Sequence, residues 1–154
     1  MNNQMKITDK KIIITKEVNL PIQRAYELWS TTKGTSELFQ TETDIELTPF
    51  GKYEIYFILD GNEGERGSET SKVLSFVPNE MISFTWNAPP SYPYVRNHSY
   101  QTHVIIRFYK LNDSKTKVEL IHHAWPEGDA WDQVFDYFTK AWEFVMTNMT
   151  KIKE

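Results

Sequence analysis

Two adjacent histidines, His122 and His123, stand in the run ELIHHAWPEGDAW, followed closely by Trp125, Glu127 and Asp129. Imidazole is the commonest protein metal ligand and the side chain that titrates nearest neutrality, so this run raises metal-centred or acid–base chemistry first. The surrounding pattern argues against both. Val118, Leu120, His122 and Ala124 alternate with Glu119, Ile121, His123 and Trp125, which is the period of an extended strand. Neighbouring strand side chains point to opposite faces, so the two rings cannot share a metal while the strand persists. His98 and His103 have no helical i, i+4 partner and no nearby carboxylate motif. We therefore expect no metal site and no cofactor. His122 is expected to face inward, as a hydrogen-bonded core residue or as a polar anchor in an apolar cavity, and His123 outward.

Other chemistries are also thinly represented. The chain has no cysteine, which removes disulfides, thiolate metal sites and cysteine nucleophiles together. It contains no nucleophile elbow, phosphate-binding glycine loop or kinase signature. Glu63 and Glu65 lie in the glycine-rich run DGNEGERG, where solvated turn chemistry explains them. With 17 basic and 21 acidic residues and a formal net charge of -4, no basic run interleaves with aromatics, so nucleic acid is not an expected partner. The opening MNNQMKITDKK has no apolar segment after it, and no later run approaches a membrane span. The expectation is a cytoplasmic protein without a membrane partner, flexible over residues 1–9 and forming one domain over 10–154. A chain of 154 residues can bury roughly 70% of the surface it exposes when unfolded.

The elements that would position any site follow from periodicity. KKIIITKEV reads as a first strand and LPIQRAYELWS as a helix, with Ile22, Ala25, Leu28 and Trp29 on one face. A short second helix is expected over 35–39, divided from the first at Gly34. Between 43 and 125 the period changes to two, in the runs DIEL, KYEIYFIL, KVLSFV, MISFTW, THVIIRFYKL and KVELIHHAW, an antiparallel meander. The last helix is expected over 129–152, capped by Asp129. Its stripe of Trp131, Phe135, Phe138, Trp142, Val145 and Met149 should face the sheet.

This order resembles the helix-grip, or START-like, fold of the SRPBCC superfamily, an α+β architecture in which a curved antiparallel sheet of about seven strands wraps a long C-terminal helix. Within that superfamily LPIQRAYELWS, PFGKYEIYF, VPNEMISFTW, THVIIRFYKLNDSKTKVELIHHAW and GDAW, in this order, resemble the family named for activators of the heat-shock-protein-90 ATPase. The family's aromatic pair on the second helix is Leu38-Phe39 here, and its glycine pair before the third strand is Phe50-Gly51. The resemblance implies a cavity between sheet and last helix more firmly than it implies a reaction.

Tyr53, Phe57, Phe84, Trp86, Phe108, Phe138 and Trp142 are the aromatics expected to wall such a cavity, with His122 as a polar group inside it. The loop APPSYPYVRNHSY is long for a hairpin connection and is read as a lid, whose Arg96 could meet an anionic ligand group. The favoured function is a small-molecule binding or carrier module for an apolar or aromatic ligand, as a monomer or homodimer. Two alternatives remain open: a co-chaperone-like domain with a protein partner, and a cyclase-like enzyme using His122 or Tyr100 as acid or base.

Overall fold

The computed structural model describes residues 5–154. The β-branched run at 12–18 forms β1 (Ile12–Val18), and the chain then enters α1 (Ile22–Ser30) just after Pro21, whose missing N–H costs nothing at a helix start. Ala25, Leu28 and Trp29 turn inward from it. Extended Thr31 ends α1 and caps α2 (Thr32–Phe39), its Oγ1 accepting the Gly34 N–H at 2.9 Å. Gly34 therefore lies inside α2 and does not divide the helices. A Cβ there would stand 1.9 Å from the Glu27 carbonyl oxygen, so glycine is what lets α1 and α2 approach.

The strands are β2 (Thr43–Ile45), β3 (Tyr53–Ile55), β4 (Val73–Val77), β5 (Met81–Trp86), β6 (Thr102–Asn112) and β7 (Lys115–His123), with the one-turn α3 (Pro93–Arg96) between β5 and β6. Five form an antiparallel sheet in the order β1-β7-β6-β5-β4, while β2 and β3 make a separate ribbon. The seven expected strands are thus divided between two sheets. Isolated bridges at Lys52–Lys72 and Tyr56–Gly67 link the ribbon to the chain before β4, but no continuous ladder forms between them. Ser68 takes over both polar groups of Ile55, accepting its N–H at 2.8 Å through Oγ and donating its own N–H to the carbonyl at 2.9 Å. The run expected to continue to Leu59 as strand instead turns out into a loop.

The last helix, α4 (Asp129–Met149), starts after Gly128, whose φ of 138° suits only glycine, and ends at Met149 instead of 152. Trp131, Val134, Phe138, Trp142, Met146 and Met149 are buried along it. Phe135 and Val145, expected on the same stripe, are only partly covered. Between α4, α1 and the sheet lies the core, with Val18, Leu28, Trp29, Ile82, Ile106, Val118 and Leu120 almost wholly enclosed. Of the segment expected to be flexible, residues 1–4 lie outside the described residues, while Ile7 pairs with Pro126 and the Thr8 N–H reaches the Trp125 carbonyl at 2.8 Å. Among the described residues no helix is long and apolar enough to cross a membrane.

Candidate functional site

A groove of about 890 Å³ opens along one side of α4. Its origin is the width of that helix's apolar stripe. The sheet covers Phe138, Trp142 and Met146, but Ala141, Phe144 and Val145 continue the stripe onto a flank that the sheet does not reach. Facing that flank are Leu38 and Phe39 at the end of α2, Phe57 and Ile58 on the loop after β3, and Pro89, Pro90 and Tyr92 after β5. Trp86 closes the interior end, its ring 4.9 Å from that of Trp142. The mouth is apolar too, since Phe57 is 52% and Phe144 68% exposed.

The structure brings four of the expected cavity aromatics together here: Phe57, Trp86, Phe138 and Trp142. Tyr53 and Phe84 are elsewhere, stacked on each other at 3.8 Å in the solid core, and the Tyr53 hydroxyl donates to the Trp29 carbonyl at 2.5 Å. Burial pushes that hydroxyl's pKa well up. Phe108 also lies outside the groove, edge-on to Tyr26 at 5.4 Å, because α1 covers that end of the sheet.

His122 is fully buried, and both ring nitrogens are bonded. Trp142 Nε1–H donates to its Nδ1 at 2.9 Å, which puts the ring proton on Nε2, and Nε2 then donates to Thr102 Oγ1 at 2.6 Å. Burial, reinforced by charge on His123 and His103, pushes its pKa well below the ordinary imidazole value. It is a neutral core residue that orients Trp142, and only the other edge of Trp142 reaches the groove. Tyr100 donates its hydroxyl to the Ala124 carbonyl at 2.5 Å. Neither acid–base candidate lines the groove. Among the described residues no group of three or more His, Cys, Asp or Glu is placed to hold a metal ion.

Arg96 was expected to face a ligand anion, but its guanidinium is turned into the protein. Nη1 donates to the carbonyls of Gly67 at 2.8 Å and Ala88 at 2.5 Å, and Nη2 to Gly64 at 2.7 Å and to Glu69 Oε1 at 3.3 Å. The expected lid is thus strapped to the loop after β3, and it contributes to the groove only Pro89, Pro90 and Tyr92. Glu69 in turn accepts the backbone N–H groups of Gly64, Arg66 and Gly67 within 2.8 Å. Burial opposes ionisation of Glu69, but these bonds and the Arg96 charge outweigh it, so its pKa lies below the usual value.

Among the groove residues that the sequence reading did not single out are Phe39, Arg66 and Phe144. Phe39 stacks on Trp86 at 6.4 Å and meets Phe57 edge-on at 5.9 Å, and its place in the second-helix aromatic pair was the available signal. Arg66 lines the groove with its guanidinium 4.7 Å over the Tyr56 ring, and no spacing in the sequence distinguished it from the acidic loop around it. Two nitrogens of groove residues, Trp86 Nε1 and Arg66 Nε, are buried without a hydrogen-bond partner.

A family model described as "Activator of Hsp90 ATPase homolog 1-like protein" matches residues 19–154. Among solved structures, a protein from Mesorhizobium loti superposes with a TM-score of 0.70 at 12% identity, over 92% of this chain and 95% of that one. An HSP90 activator from Plasmodium falciparum does so at 0.65 and 16% identity, over 86% of each chain. The Aha1 dimer from Colwellia psychrerythraea follows at 0.64 and 15%, over 92% and 93%. At these identities the likeness establishes a shared fold. No curated protein matches the sequence significantly.

Proposed function

This chain belongs to the family of Activator of Hsp90 ATPase homolog 1-like proteins, of SRPBCC type and helix-grip fold, and within it we propose a binding module for a small, largely apolar molecule held along α4. The groove with an aromatic mouth supports this reading most. Exposed rings around a concavity leave apolar area in water, and covering it recovers about 25 cal/mol per Å². The four aromatics that stay in the ligand site are Phe57, Trp86, Phe138 and Trp142, joined by Phe39 and Phe144. The absence of cysteine fits a reducing cytoplasm as its working compartment.

A protein partner is the second reading. Phe144 and Ile58, both strongly exposed, lie at the rim, where another chain's side chain could cover them. Two structural neighbours, an HSP90 activator from P. falciparum and the Aha1 dimer from C. psychrerythraea, lend it weight.

Titration with the neutral fluorophore 1-pyrenebutanol, read by quenching of Trp86 and Trp142, separates the two. A binding module should saturate at one equivalent with a micromolar dissociation constant, about -8 kcal/mol. No quenching up to the solubility limit, together with dimerisation or capture of a second protein that protects Phe144, would favour the partner reading.

A further inference from the structure

The proposed ligand site also carries a sign of what its ligand bears besides an apolar body. Three charged side chains, Arg66, Glu69 and Arg96, meet beside the loop after β3, only Arg66 of them lining the groove, and their bonding is unequal. Arg96 and Glu69 form an internally satisfied pair: Arg96 makes four hydrogen bonds and Glu69 accepts three backbone N–H groups besides. Arg66 is the remaining cation. Its side chain is 29% exposed, and its nearest carboxylate oxygen, Glu69 Oε2, stands 3.6 Å from Nε, too far for a hydrogen bond. Among the described residues its guanidinium donates no hydrogen bond, although it carries five N–H groups in a planar fork. Stacking over Tyr56 holds that fork in place without satisfying it.

Trp86, only 5% exposed, closes the same groove, and its indole N–H is likewise unpaired. A buried donor without a partner is costly, and native structures contain few. Here two such donors, set just beneath the surface, belong to side chains that line one groove, and both call for the same complement, an oxygen acceptor. On the α4 side Asp136 and Lys140, one turn apart, both line the groove, and their opposite charges leave no net pull on an anion there, so the unpaired donors decide where an anionic head would sit.

We infer that the ligand is an amphipathic monocarboxylate: an apolar or aromatic body lying on Phe138 and Trp142, with its carboxylate received by the Arg66 fork and the Trp86 N–H. This rests on the binding-module reading and refines it. Arg66 takes the part that the sequence suggested for Arg96, and the difference is that four of the five Arg96 N–H groups are already bonded within the fold and Arg96 does not line the groove.

The test compares two probes of equal body, 1-pyrenebutyrate and 1-pyrenebutanol, on the parent protein and on Arg66→Met. The parent should bind the carboxylate at least ten-fold more tightly than the alcohol, a difference of about 1.4 kcal/mol. Arg66→Met should lose that preference while holding the alcohol within about two-fold, which also shows that the variant is folded. The indole N–H resonance of Trp86, assigned by its loss in Trp86→Phe, should move downfield with the carboxylate. Equal affinity of the parent for both probes, or an unchanged preference in Arg66→Met, would overturn the carboxylate inference and leave the groove reading standing. Binding of neither probe would sink the groove reading itself.

Discussion

Trp142 divides the interior into two halves that share a chemistry and differ in closure. On one side lie Tyr26 and Trp29 of α1 with Phe108, Val118 and His122 of the sheet; on the other, toward the loop after β3, lie Phe39, Phe57, Trp86 and Phe144. Both halves are aromatic. In the first, Trp29 Nε1 reaches the Met149 sulfur at 3.4 Å, and Trp142 and His122 satisfy each other; among the described residues only the Tyr26 hydroxyl of its buried side chains lacks a partner. In the second, the Trp86 indole N–H and the Arg66 Nε–H lack hydrogen-bond partners, and aromatic faces meet water. Aromatic content does not tell a core from a pocket. What tells them apart is how closely the rings are enclosed: α1 packs on the sheet over one set, while α2, the loop after β3 and the segment after β5 face α4 across open space on the other.

The largest test of that division removes its boundary. Trp142→Ala should destabilise the protein by about 3–5 kcal/mol, since the ring is almost wholly buried and its loss strands the His122 Nδ1. Denaturant unfolding measures this, and a loss under about 1 kcal/mol would mean that Trp142 belongs to the open half. Next comes Phe108→Trp, an overpacking change in the closed half that should cost about 1–3 kcal/mol and leave pyrenebutanol affinity unchanged. A weakened probe with stability intact would return Phe108 to the groove wall.

How much of this was legible beforehand depends on how local the determining interaction is. The alternation around His122 set its inward phase, and Thr102, Val104 and Ile106 on the paired strand confirm the register, with Val104 opposite His122. Pattern alone also located the last helix and the strand sequence. Pattern could not separate Phe108 from Trp86, because both are inward strand aromatics and their fates differ only through where α1 lies. Nor could it exchange Arg96 for Arg66. The Arg96–Glu69 contact spans 27 residues, and which arginine is satisfied is decided by how the loop after β3 folds back on α3. The loop's departure from strand was equally hidden, since it turns on the hydrogen bonds of Ser68 with Ile55.

Acid sharpens the same comparison at a smaller scale. The folded-state pKa of His122 lies well below its unfolded value near 6.5, so the unfolded chain binds more protons as pH falls through that value. The stabilisation is complete above about pH 6.5 and declines below it, by at most about 1.4 kcal/mol per pH unit for this residue. His103 and His123, half-buried with their pKa values also lowered by burial, add in the same direction, and Lys11 adds to the effect at His123. Glu69, also lowered, begins to contribute only as pH falls below about 4.5. Denaturant midpoints should therefore fall between pH 7 and pH 5.5. A flat profile there would show that water or a counter-charge reaches His122, and that the closed half is not closed.

The smallest effect on stability belongs to the most exposed ring. Phe144 is 68% accessible at the groove mouth and makes no aromatic contact within the fold, so Phe144→Ser should change stability by no more than about 0.5 kcal/mol. Its effect on binding should be the larger one. If a ligand body lies along α4, it covers part of this ring, and covering about 40 Å² of apolar surface at 25 cal/mol per Å² is worth about 1 kcal/mol, a five-fold change in pyrenebutanol affinity. The closed half offers no residue with this combination, because every side chain there that touches an apolar neighbour also holds the fold. Separation of binding from stability at Phe144, set against their opposite separation at Phe108, is the signature of a site built on a flank that the fold leaves open. Loss of stability without loss of binding at Phe144 would place the ligand elsewhere and make this ring a packing residue of the helix.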